Sequence, residues 1–347
     1  MKYIVYLCLL LTQVAQAQWY FISPTGNDKA DGLTPETAWQ HFKYAFKQLQ
    51  PGDTLSIQAG TYHQDIQTIR SGKKTQPITL IGNHDAVIVG FQKNRVIQIK
   101  HSYIRLAGFT IDGQFRSGKK AVDYRDKLIY VQGTKKTSIK GIVLSQLQLR
   151  NALGECIRLK SGVTFSEVSF NHIEHCGLHD YRFGRGQKNG EAIYIGTAPE
   201  QVKKGEKRDF SGHNWVHHNQ IRVFGSECID IKEGANLNRI EHNLCLNSLD
   251  DASGGISIRS SQNLVQFNLV IGSKGAGIRI GGDTPQDAIN NQIRHNYLRG
   301  NHYSGLKIMA WPQKEICANQ IITPDEVFQW RGLKDIQVNP EEACHVE

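Results

Sequence analysis

Apolar and polar residues alternate along most of this chain in runs of four to six. In Ser226-Glu227-Cys228-Ile229-Asp230-Ile231-Lys232-Glu233-Gly234, Ile229 and Ile231 share one face of a strand, and Asp230 and Lys232 share the other. Related phrases recur around Ile157, Ile193, Ile256, Ile278 and Leu306. The steps from Ile157 through Ile229 to Leu306 are 36, 36, 27, 22 and 28 residues. One short strand per repeat predicts a solenoid, because each unit buries its apolar face only against its neighbours.

The rest of the chain follows the same cadence. Trp19–Ile22 reads as a strand, as do Thr54–Ile57, Gly60–Tyr62, Ile78–Gly82, Val87–Val89, Val96–Ile99, Ile104–Leu106 and the run from Phe109 to Gly113. A helix is predicted from Thr34 as cap and Pro35 as first residue to Leu49, with Phe42, Ala45, Phe46 and Leu49 as its apolar stripe. It would cap the open N-terminal end. Strands joined by turns without intervening helices predict an all-β, single-stranded parallel β-helix.

Asn171, Asn219, Asn243, Asn268 and Asn296 each precede a strand, in steps of 48, 24, 25 and 28 residues. Asn tolerates left-handed turn geometry and bonds to stacked copies of itself, so these read as a structural ladder. The adjacent His218, His242 and His295 read as turn residues. Two basic insertions, 179–190 and 198–213, interrupt the period just before the central strand and are expected to rim it. From about residue 324 the repeat is lost, and an irregular C-terminal cap is expected.

Residues 1–17 read as a secretory leader: Lys2, an apolar run from Ile4 to Leu11, and Ala15-Gln16-Ala17. Cys8 sits inside that run. The expected mature domain is 18–347, secreted or periplasmic, not membrane-inserted and monomeric. Its six cysteines permit disulfides. Cys317–Cys344 is the pairing expected, and Cys245, at an inward position, is expected to be simply buried. The net charge of +9, or +8 without Lys2, suits an anionic partner. No recognition helix or basic–aromatic interleaving points to nucleic acid, so an acidic polysaccharide is the expected partner.

With Ile229 and its equivalents pointing inward, the outward residues stack as Arg158 and Lys160, Tyr194, Asp230 and Lys232, Ser257 and Arg259, Arg279, then Lys307. Coils lie about 4.8 Å apart, which brings Lys232 and Arg259 to one substrate residue. Repulsion between them is expected to lower the Lys232 pKa toward that of a base. Elimination from a uronate needs a carboxylate neutraliser, a base and an acid for the leaving oxygen. Arg259 and Lys232 are assigned the first two roles. Tyr194, His179 and His213 are unranked candidates for the third. Arg158, Lys160, Tyr194, Asp230, Arg279 and Lys307 are assigned to substrate binding. Glu155 reads as structural, and Asp250-Asp251 as a solvated turn.

The Pro51–Ile57 and Gly60–Tyr62 stretches, Gln76–Leu80, and Ile104 through Gly113 resemble the pectate-lyase-like superfamily of right-handed parallel β-helices. They are most similar to chondroitinase B and the alginate lyases of polysaccharide lyase family six. That family carries a Glu-x-Ile-x-x-Lys strand with a calcium-ligand Glu and a Lys base, followed by an Arg on the next coil. Here Glu227, Lys232 and Arg259 match. The resemblance implies calcium as cofactor, held by Glu227 and Glu191. The family's second Glu falls on Gly225, and Glu191 stands where an Asn ligand is usual. Two other readings of the strand stay open: a hydrolase of the polygalacturonase type, although Gly-His-Gly is absent, and a non-catalytic carbohydrate-binding β-helix. C5-epimerisation shares the first chemical step, but the sequence has no Asp-Pro-His-Asp.

Overall fold

The structure is a computed structural model that describes residues 17–344 apart from 92–93, 135–136, 185–189, 204, 206, 285, 324–326, 330–332 and 334–336. The expected leader up to Gln16, Cys8 included, lies outside the described residues, as do Lys188 and Lys204 of the two insertions and residue 324 at the start of the expected C-terminal cap.

Strands follow one another in a cycle of three, and each position in the cycle builds its own sheet. The first sheet has eleven strands from Trp19–Ile22 to Glu315–Cys317, the second ten from Gly60–Tyr62 to Gln320–Ile322, and the third ten from Ile66–Gln67 to Val327–Gln329. Neighbouring strands pair in parallel. The chain is therefore an all-β, right-handed parallel β-helix, the hand that strand twist dictates for parallel crossovers.

Each sheet sends apolar side chains inward in columns. In the third sheet one column is Ile157, Ile193, Ile229, Ile256, Ile278 and Leu306, and a second is Leu159, Ile195, Ile231, Ile258, Ile280 and Ile308, each paired in that order and buried. The second sheet contributes Leu149, Ile173, Ile221, Cys245, Val270 and Leu298. The register read from the sequence is the register of the structure.

The asparagine ladder is present. The Asn171 amide donates to Asn219, Asn219 to Asn243, Asn243 to Asn268, Asn268 to Asn296 and Asn296 to Asn319, at 2.9–3.0 Å. Phe170, His218, His242, Phe267 and His295, each just before a ladder Asn, have φ of 53–56°. Their rings stack at 4.8–5.1 Å. A second ladder, Asn214, Asn238, Asn263 and Asn291, runs five residues upstream. The constant Asn-x4-Asn spacing was its signal in the sequence.

Two expectations are corrected. The helix spans Phe42–Gln48 and does not begin at Pro35. Trp39 bridges to Ile22 as a strand would, its amide donating to Phe21, and Thr34 and Thr37 close a turn through their own hydroxyls. The predicted stripe Phe42, Ala45, Phe46 and Leu49 is buried, with Phe42 against Tyr62 of the first full coil. The second correction concerns Cys245, which is bonded to Cys228. Cys156 pairs with Cys176, and Cys317 with Cys344 as expected. The first two bonds each tie a third-sheet strand to the second sheet of the next coil, which places Cys245 inside because its partner is there.

Candidate active site

Outward positions of the third sheet line up as Tyr130, Arg158, Tyr194, Asp230, Ser257, Arg279 and Lys307. Lys160, at the end of its strand, and Lys232 and Arg259, each just past the end of its strand, stand two residues further along on the same side. All eight residues assigned to catalysis or substrate binding therefore share one face. Glu191 and Glu227 precede their strands and approach Asp230, so that carboxylate oxygens of the three lie within 4.8 Å of one another, all buried.

Both insertions are tied down beside this face. In 198–213, Asp209 accepts from the amides of Ser161 and Gly162 at 2.6 and 2.8 Å and from the Thr197 hydroxyl at 2.6 Å. Arg208 pairs with Asp287, three coils on. Gln201 accepts from Arg158 at 2.8 Å and Lys160 at 3.3 Å. Beside this loop a groove of about 1030 Å³ runs toward the N-terminal coils, past Lys160, Gln132 and Lys100. In the first insertion, residues 178–181 form one helical turn whose Tyr181 hydroxyl meets Ser226 at 3.3 Å. Lys232 is only 8% exposed, and Asp230 not at all.

That burial reverses one expectation. Lys232 Nζ lies 2.5 Å from Asp230 Oδ2 and 3.7 Å from Glu191 Oε1. Burial pulls the Lys232 ammonium down, but Asp230 and Glu191 more than offset it and lift its pKa above the usual lysine value. The like charge of Arg259 is a smaller effect. Lys232 rests as an ammonium, and its pKa is not lowered toward that of a base. Asp230, assigned to substrate binding, is instead fully covered. Burial raises its pKa, and Lys232 and Arg259 then hold it below the ordinary carboxylate range. Glu227 is pushed well above that range by burial, Asp230 and Glu191, with Ser253 donating to it. Glu191 is also raised, chiefly by burial.

Arg259 is 3.7 Å from Asp230, from Glu233 and from Asp283. Arg279 donates to Ser257 at 3.2 Å, and burial followed by Arg259 lowers its pKa. Tyr194 lies between two cations, Arg158 at 3.9 Å and Lys232 at 4.7 Å from its ring. Burial keeps its phenol protonated beyond the ordinary range, against the pull of Lys232 and Arg158. Lys307 donates to the Ala252 carbonyl at 2.8 Å.

No protein-family model matches the chain, and no curated protein does. Solved structures do. The alginate lyase from Paenibacillus sp. str. FPU-7 superposes with a TM-score of 0.66 at 17% identity, over 83% of this chain and 95% of that one. Pectate lyase Pel9A gives 0.58 at 13%, over 92% and 80%. The chain shares the right-handed parallel β-helix fold of both lyases. GH136 lacto-N-biosidase from Eubacterium ramulus shares it too, at 0.57 and 14%, over 90% of this chain and 67% of that one. The fold thus carries more than one reaction, and the site must decide among them.

Of the three candidate acids, the fold brings only Tyr194 beside Lys232. His179 is bound to Asp180 at 2.6 Å, and His213 is stacked on Phe165 at 4.7 Å. Glu155 is structural, but through ions: it holds Lys127 at 2.7 Å and Arg158 at 2.5 Å. Asp250 accepts from the Ala252 amide at 2.9 Å, as a turn residue does. Glu233 was missed by sequence reasoning. It is buried with neither carboxyl oxygen hydrogen-bonded, and its only signal was adjacency to Lys232.

Proposed function

We propose that the protein is a secreted polysaccharide lyase that cleaves an acidic, uronate-containing polysaccharide by β-elimination. The observation that carries this reading is the placement of Lys232, Tyr194, Arg259 and Arg279 together on one outward face, above carboxylates that the substrate does not reach. Arg259 and Arg279 receive the uronate carboxylate, which makes the neighbouring C–H acidic. Lys232 accepts that proton after passing its own to Glu191. Substrate binding excludes water, and a drier site favours the neutral amine and acid over the ion pair. The raised pKa of Glu191 fits it to accept. Tyr194 gives its proton to the leaving glycosidic oxygen as the C–O bond breaks and the new C=C bond forms. The three disulfides support export to an oxidising compartment.

A second reading has one observation behind it. Glu227 and Asp230 are neighbouring carboxyls with pKa values driven apart, the pattern of a glycosidase acid and its partner. Both are covered by cations and side chains, which favours elimination. Incubation with alginate, chondroitin sulfate, pectate and hyaluronan separates the two. Ultraviolet absorbance of unsaturated uronates, lost in Lys232→Ala, supports the lyase. New reducing ends without absorbance replace it with the hydrolase. Binding without any product leaves a carbohydrate-binding solenoid.

A further inference from the structure

We propose that the Lys232 ammonium occupies the place of a divalent cation, so that this site works without calcium and becomes a calcium site when the ammonium is removed. Only the activity arm of the test below rests on the lyase reading.

Three buried carboxyl groups within 4.8 Å of one another need positive charge among them. A metal ion is one source. Here the chain supplies its own. Lys232 Nζ reaches Asp230 and Glu191, and Arg259 approaches Asp230 from the next coil. Neither Asp230 oxygen accepts a bond from a backbone N–H or a hydroxyl, so its charge is met by the two cations. Lys232 is held in place by the Tyr194 ring on its other side.

The remaining oxygens do not complete a calcium shell, which takes about six to eight. The Gly190 amide donates to Glu191 Oε2 at 3.0 Å, and Ser253 donates to Glu227 Oε1. The position where similar lyases place a further Glu is Gly225, and it is closed to any side chain. A Cβ there would lie 2.3 Å from the carbonyl oxygens of both Cys176 and Gly190, well inside contact distance and against backbone that cannot swing away.

The test is thermal unfolding of the disulfide-intact protein in excess calcium and in chelator, for the wild type, Lys232→Ala and Lys232→Arg. The wild type is expected to show the same Tm in both conditions, and the same activity. Lys232→Ala, which leaves the carboxylates unneutralised, is expected to be less stable in chelator. It should gain several degrees once calcium exceeds its Kd by about a hundredfold. Lys232→Arg keeps the charge and should not respond. A calcium-dependent rise in wild-type Tm overturns the proposal, as does wild-type activity lost in chelator and restored by calcium. A calcium-indifferent Lys232→Ala overturns it as well. Should Lys232→Ala not fold in chelator, Lys232→Met, which keeps the apolar stem, gives the same readout. An inactive wild type sinks the lyase reading and leaves the unfolding arms intact.

Discussion

Lys232 and Glu233 are adjacent in the chain, and the fold treats their charges in opposite ways. Lys232 is stabilised as an ion. Glu233 is disfavoured as one: burial comes first, only partly offset by Arg259, and its pKa rises to about 6. Its folded value lies above its ordinary 4.5, so the folded state holds the proton more tightly. Stability is therefore full below about pH 4.5 and falls as pH rises through 6. Glu233→Gln removes the ionisable group. It is expected to unfold later than the wild type by about 1–2 kcal/mol at pH 8, with the difference vanishing near pH 4.5. Denaturant titrations at the two pH values check this, and an equal effect at both would show a packing change instead. Tyr194→Phe keeps the ring that Arg158 and Lys232 face but removes the proton. Its kcat should fall by about a hundredfold or more with KM little changed, and a KM effect alone would assign Tyr194 to binding.

At the scale of elements, the turns hold the coils in register. The Asn243 amide group donates to Val216, Glu241 and Asn268 and accepts from Asn219. Asn243→Ala strands several of these buried partners and should cost on the order of 3 kcal/mol, read as a lowered urea midpoint. Replacing Cys228 and Cys245 by Ala frees a loop of 17 residues and should cost about 3 kcal/mol. The fold was largely legible in the sequence because each third-sheet strand carries one apolar residue at the same place, Ile157 through Leu306. The Asn positions gave the turns independently. The helix start was not legible, because Trp39 is drawn into strand pairing with Ile22 by a contact that local capping rules do not contain. The disulfides were legible only in part. Cys317–Cys344 ties down a tail, whereas Cys228–Cys245 joins different coils. For the site, the residues on the face were readable and their depth was not. Asp230 and Lys232 were placed on one face from the start. Their pairing overrides Arg259 because both are buried, Asp230 completely.

At the scale of the whole molecule, the proposed substrate is a long anionic polymer, and the groove past Lys160 and Lys100 would extend its binding beyond the proposed catalytic residues. No helix among the described residues is long and apolar enough to cross a membrane. If binding is carried by these charges, raising ionic strength from about 0.05 to 0.5 M should raise KM severalfold with kcat nearly constant, because screening shortens the reach of exposed charges. A salt-indifferent KM would move substrate recognition to uncharged contacts. Gly225 has a consequence for how such a molecule can change over generations. With the Cys176 and Gly190 carbonyls pressed against it, no single codon change there yields a metal-binding chain. The backbone of the preceding coil would have to shift at both points, and that coil is stapled by a disulfide. Position 225 is thus kept free of any side chain by its neighbours' main chain.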